Sequence, residues 1–221
     1  MRKVDQFSRV RLTVQIFACY YAIASVCGAQ ERPPSGKVNT DFSRVYIFVD
    51  KSGVVGHQHA VEGKLANGEL FQKEGREGKL TFDMQSFNAD TPQAKKYLAL
   101  ENAVDEATRK KVNDNMLGAE ILNVKKYTTA KFEHVTIRPK NTTSKRQLPE
   151  YLLVGDFTLQ EKTRRIEIPC DLEVKDGWHH YRGSFKILQS NYGIKPFSKM
   201  LGAVGVADEL VIYGDIWVVP E

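Results

Sequence analysis

The sequence predicts an all-β fold, an antiparallel β-barrel with one helical insertion. Two patterns and one bound predict it. Segment after segment alternates apolar and polar residues with period two, the mark of strands with one buried and one wet face. Residues 90–117 alone break that pattern and are rich in Ala, Lys, Glu and Asn. The 221-residue length suits one domain with an N-terminal extension, large enough to bury a full core. Many antiparallel strands with one helical interruption close, or nearly close, into a barrel.

The elements follow in order. Residues 1–29 read as a secretory signal peptide: Arg2, Lys3, Arg9 and Arg11 form a basic start, residues 12–26 are mostly apolar, and Cys27-Gly28-Ala29 offers small residues at a cut. The apolar run is shorter than the ~20 residues of a spanning helix. Residues 30–40, QERPPSGKVNT, read as a flexible linker, and the domain is expected over residues 41–221. Residues 45–50 are apolar on both faces, whereas residues 57–65 place His57, His59, Val61 and Leu65 on one face. Leu80, Phe82 and Met84 share a face. Pro92 marks one helix start, and residues 105–116 form a helix with a weak stripe of Val104, Ala107, Thr108, Lys111, Val112 and Asn115, expected to pack on the barrel. Residues 139–149, PKNTTSKRQLP, read as a polar basic loop. Tyr151, Leu153, Phe157 and Leu159 share a face with Gly155 between them. Ile166, Ile168, Cys170, Leu172 and Val174 give the cleanest alternation. Tyr181, Phe185 and Ile187 follow, and residues 209–219 are apolar on both faces.

Charge and motif content remove several function classes. The net charge is +5, and the leader's four basic residues against Asp5 supply three of those charges. What remains is too weak a basic excess for a nucleic-acid face, so no nucleic acid is expected. No GxSxG, HExxH, CxxC or P-loop occurs, so no catalytic constellation stands out and no enzyme or cofactor is expected. Cys19 and Cys27 lie in the leader, which leaves Cys170 alone in the domain, to be packed as a small hydrophobe.

Two stretches carry a resemblance, GDFTLQEKTRRIEIP from Gly155 and SFKILQSNYGIKP from Ser184. Together with Gly56-His57-Gln58-His59-Ala60-Val61-Glu62-Gly63, Leu80-Thr81-Phe82-Asp83 and Ala130-Lys131-Phe132-Glu133, they resemble the YceI-like family over residues 43–219. The resemblance implies a lipocalin-like barrel that binds polyisoprenoids or similar lipids. Three departures stand out. Glu133-His134 replaces a small polar residue. Gln160-Glu161-Lys162 replaces a His-Gly turn and implies a longer one. Pro169 interrupts a ladder and belongs at an edge or bulge.

The expected ligand is a long-chain apolar lipid of isoprenoid type. Its wall is Phe82, Met84, Phe132, Phe157, Leu159, Ile166, Ile168, Phe185 and Ile187, because a small barrel holds a ligand when its inward side chains leave space. The same residues also suit a filled core, which keeps a structural or stress-response barrel without ligand as an alternative. His57 and His59, two apart on a strand, point the same way. They are candidate contacts to a lipid headgroup, or two metal ligands with His134, His179 or His180 as a third. Residues 198–207, SKMLGAVGVA, form an apolar, glycine-punctuated segment that reads as a lid, a dimer contact or a packed connection. Transient membrane-surface contact, through Lys140, Lys145 and Arg146, a homodimer, and a periplasmic or secreted location complete the expectations.

Overall fold

The computed structural model describes residues 33–221, so the leader and the first residues of the linker lie outside it. Nine strands form: β1 (Arg44–Lys51), β2 (His59–Glu69), β3 (Gly78–Ala89), β4 (Thr129–Thr143), β5 (Pro149–Leu159), β6 (Lys162–Lys175), β7 (Trp178–Leu188), the short β8 (Ser198–Lys199) and β9 (Val204–Val218). Neighbours pair antiparallel in chain order up to β7, which pairs with β9, and β9 returns to pair with β1. The result is a closed eight-stranded barrel with β8 as an appended hairpin strand.

Closure rests on long registers. β1 meets β9 from Arg44↔Asp215 to Val49↔Leu210, and β5 meets β6 without a break from Glu150↔Asp171 to Leu159↔Lys162. The period-two alternation therefore becomes an inside and an outside. Phe132, Val135, Leu153 and Ile216 are buried inside, with Phe132 only 1% exposed. Gly155 makes room for it: a Cβ there would lie 2.8 Å from the Phe132 ring and 2.8 Å from the Glu133 carbonyl oxygen.

One end of the barrel, called lower here, is plugged. Residues 36–39, part of the segment read as a linker, are tied across it. Gly36 N–H donates to Val219 O (2.8 Å), Leu70 N–H to Gly36 O (2.8 Å) and Asn39 N–H to Trp217 O (2.8 Å). Val38 of this segment is buried there together with Leu70, Phe71 and Val218.

The upper end carries the insertion. Thr91 accepts from the Ala94 N–H and starts α1 (Pro92–Tyr97), which packs outside the barrel with Tyr97 stacked on Tyr46 at 3.8 Å. Asp105 caps α2 (Glu106–Leu117). The face that α2 turns to the barrel matches the expected stripe only in part: Val112 packs on the core with Met116 and Leu117, and Asn115 reaches the cavity, while Ala107 and Lys111 are exposed. Asn113, a polar residue that no apolar pattern reveals, anchors the helix by accepting from the Ala89 N–H at 2.8 Å.

Two further expectations change, and one segment gains a definite form. Residues 139–149 are mostly strand, since β4 runs to Thr143 and β5 starts at Pro149, which leaves only residues 144–148 as the turn. The β5–β6 turn is short rather than long. Gln160 and Glu161 both take positive φ (48° and 66°) between the paired Leu159 and Lys162, the two-residue geometry usually given to Asn or Gly. Gln160 Nε2 donates to Ile121 O, which holds the strained turn in place. Residues 198–207, read as a lid, a dimer contact or a packed connection, form the β8–β9 hairpin, Ser198↔Gly205 and Lys199↔Val204. Pro169 pairs with Leu152 in β5 just before the β6–β7 ladder begins at Cys170↔Gly183, so its missing N–H interrupts no bond between β6 and β7.

Gly155→Val should overpack the Phe132 contact and lower unfolding free energy by about 1–3 kcal/mol. Urea denaturation followed by far-UV circular dichroism measures this as a lower midpoint with an unchanged slope.

Candidate functional site

The inward faces enclose a cavity of about 230 Å³ in the middle and upper barrel. One water needs only ~10–15 Å³, so this is a lumen and not a packing defect. Of the residues expected to line it, Phe82, Met84, Phe132, Phe157, Leu159, Ile166, Ile168, Phe185, Ile187 and His59 do so. His57 stands beside His59, with ring centroids 4.7 Å apart, but outside the lining. Phe157 sits at the centre of an aromatic group, its ring edge-on to Phe185 (6.2 Å), Tyr192 (5.6 Å) and Phe82 (6.4 Å).

Sequence reasoning missed part of this wall. β1 contributes Val45, Ile47 and Val49, and β9 contributes Leu210, Ile212 and Ile216. Both strands are apolar on two faces, so alternation did not say which face points inward. Val112, Met116, Ile121 and Leu122 of the insertion roof the upper end. Opposite them, Ile194 and Phe197 belong to the connection after β7. Gly193 allows its bend with φ 78°, where Tyr192 and Ile194 turn inward.

Polar groups on the lining are few. Gln189 Nε2 is used by Ala207 O at 2.8 Å. Asn115 belongs to the roof. Burial raises the Tyr181 phenol above its usual range, and it pushes the Cys170 thiol up to about 12, helped by the nearby Asp171 and Glu150 charges. His59 is the most organised. Its Nδ1 lies 2.7 Å from Asp90 Oδ2, while Asp90 Oδ1 accepts from Ala60 N–H at 3.1 Å. The Asp90 side chain is fully buried. A ring that donates Nδ1–H to this carboxylate keeps Nε2 as an acceptor when neutral. No sequence pattern marked Asp90, a single acid at a strand end held at φ 56°. The neighbouring His57 Nε2 is buried without a partner.

The proposed third metal ligands are not brought to this pair. His134 Nδ1 binds Glu77 at 2.8 Å, and His180 Nε2 binds Asp215 at 2.5 Å with Trp217 stacked on its ring. His179 lies on β7 near its lower start, far along the barrel from β2's upper start. Among the described residues no group of three His, Cys, Asp or Glu side chains is spaced for a metal. The basic loop sits at the plugged end. Arg146 is engaged by Asp171 at 2.5–2.9 Å and Lys140 by Glu150 at 3.5 Å, while Lys145 is exposed.

Comparisons with known proteins place this geometry. A model of the YceI-like domain matches residues 37–216. BcnA of Burkholderia cenocepacia has a similar structure, with TM-score 0.54 and 18% identity over 81% of this chain and 98% of that one. So does a polyisoprenoid-binding domain from Saccharophagus degradans implicated in plant cell wall breakdown, with TM-score 0.51 and 9% identity over 85% of this chain and all of that one. At such identity the likeness establishes the fold. No curated protein matches the chain.

Because burial holds the Cys170 thiol far above neutral pH, maleimide should leave it unlabelled in the folded protein at pH 8 and label it readily in urea. Peptide mapping by mass spectrometry separates it from Cys19 and Cys27.

Proposed function

The chain belongs to the YceI-like domain family, and from that premise we propose that it is a carrier holding an isoprenoid or other long-chain apolar lipid in its barrel. One observation carries the reading: a lumen walled by apolar side chains contributed by every barrel strand, with His59 as its one charge-anchored polar group. Such a wall offers a tail burial and almost nothing to hydrogen-bond. The similar polyisoprenoid-binding domain supports the ligand class.

Binding is driven by apolar burial, worth about 0.8 kcal/mol per CH₂. It opposes several kcal/mol of lost translation and tail freedom, so short tails bind weakly and long ones well. His59 Nε2 is positioned to accept from a hydroxyl-bearing headgroup, with Asp90 fixing the ring. No covalent step is involved. The basic start, apolar run and Cys27-Gly28-Ala29 of the leader support action in the periplasm or outside the cell, where water-insoluble tails need an escort.

Native mass spectrometry of protein purified from its own host, followed by solvent extraction, should reveal a co-purifying long-chain lipid. Phe157→Trp, which adds bulk at the centre of the lumen, should weaken binding roughly tenfold or more, equivalent to ~1.4 kcal/mol of lost contact, while far-UV circular dichroism stays native. A wild-type protein that is free of lipid and binds no added tail would sink the carrier reading.

In a displacement titration with a fluorescent fatty acid, affinity should rise with competitor tail length, by at most about fourfold per methylene, and level off once the lumen is full. An affinity indifferent to length would mean that the tail is not what the barrel grips.

A further inference from the structure

Four large apolar side chains stand in solvent at the upper end: Val54 (89% exposed), Val55 (59%), Met200 (74%) and Leu201, which is completely exposed. They form one platform. The β1–β2 connection and the β8–β9 hairpin are bound together by Val55 N–H to Ala203 O (3.1 Å), Ser52 N–H to Gly205 O (3.0 Å) and a bridge between Val55 and Val204. Gly53 permits the close approach, since a Cβ there would lie 2.3 Å from Ala203 O.

Neither conformation nor packing accounts for these residues. Met200 and Leu201 take left-handed φ values of 53° and 54°, a region that favours Gly and Asn, and they bury nothing in return. The platform is continuous with the lumen, because the hairpin's stems carry Phe197 and Val206, which line the cavity. Val206 N–H donates to Phe197 O at 3.0 Å.

Charge indicates what covers the platform. Lys51, Lys195 and Lys199 are exposed on the same segments, and none has an ion-pair partner among the described residues. The acids of these segments are turned to internal bonds: Asp50 accepts from Gln58 Nε2 (3.0 Å) and Asp208 from Ser190 (2.5 and 2.8 Å). A second copy fits poorly. A two-fold contact would set lysines against lysines, and four side chains fall well short of the ~20–30 residues a side of a stable interface.

We propose that this platform docks on an anionic lipid bilayer. The Val54, Val55, Met200 and Leu201 side chains enter the headgroup–acyl boundary, the three lysines meet lipid phosphates, and the lumen opens toward the leaflet that gives up or receives the tail. The proposal rests on the carrier reading and adds to it the site of exchange. Apolar contact and cation–phosphate attraction together set such binding.

The test is co-sedimentation of the full chain with phosphatidylcholine vesicles, with and without phosphatidylglycerol. Wild type and variants carry the same leader, so differences between them report the platform. Met200→Ser/Leu201→Ser should weaken binding about tenfold. Lys51→Ala/Lys195→Ala/Lys199→Ala should abolish the preference for phosphatidylglycerol. Both should take up a detergent-dispersed prenyl alcohol as wild type does. Equal sedimentation of Met200→Ser/Leu201→Ser and wild type would overturn the proposal. So would a dimer that sedimentation equilibrium detects in the wild type and not in that variant. Vesicle binding that depends on the platform, in a protein whose lumen takes no tail, would uphold docking and remove the carrier reading.

Discussion

The pairing of β1 with β9 is the constraint on which everything else depends. Six consecutive residues of the first strand, Arg44 to Val49, lie in register with the last strand. An open sheet of these sequences would present two bare edges and an apolar face to water. Closing it removes both edges and turns every inward residue toward a common axis. With eight strands the diameter is set near the point where side chains either fill the interior or leave room for one small ligand. Here the wall residues are large, yet a lumen of about 230 Å³ remains, because the lower end holds the plug and the upper end is roofed rather than filled.

That asymmetry follows from how the connections are distributed. At the lower end the segment through Val38, the residues around Leu70 and Phe71, and the last residues of β9 are cross-linked by backbone hydrogen bonds and by Glu221, which accepts from the Gln72 and Lys73 N–H groups. At the upper end the covering elements lie outside the barrel ladder. α2 is held by the Asn113 anchor and by apolar contacts of Val112, Met116 and Leu117. The connection after β7 is held by Gln189 and by Arg164 Nε on Asn191 O at 2.9 Å. Segments with few backbone ladder bonds open at lower free energy than barrel strands. The roof is therefore the part of the barrel that opens at least cost.

Much of this was legible in the sequence, for an identifiable reason. Where one face of a strand is wet, as in residues 166–172, alternation names the inward residues, and Ile166, Ile168 and Cys170 all reach the cavity wall; at the lower end the pattern fails, since Val174 is 70% exposed and Asp171, read as outward, is buried against Arg146. Where a strand is apolar on both faces, alternation is silent. β1 and β9 are of this kind because their outer faces are also covered, Tyr46 and Tyr213 by α1 with its Tyr97. The helix face was misjudged in part because its anchor is an amide rather than a methyl group. The short Gln160–Glu161 turn was hidden because tertiary bonds, not local preference, hold its positive φ values. Asp90 left no trace in periodicity, since its role comes from a neighbour 31 residues away.

The His59–Asp90 pair shows how one such contact links fold and site. Asp90 follows β3 and precedes the Thr91 cap of α1, and its own N–H donates to Ala60 O at 2.6 Å while its carboxylate receives the Ala60 N–H. The same acid thus fastens the start of β2 to the end of β3 and orients the imidazole facing the lumen. A buried carboxylate is costly unless its oxygens are bonded, and here one oxygen serves the backbone and the other serves His59. Removing either bond leaves that oxygen unsatisfied in a dry site. The polar feature of the lumen is therefore fixed by the strand pairing at its mouth, while the wall around it is set by apolar packing alone.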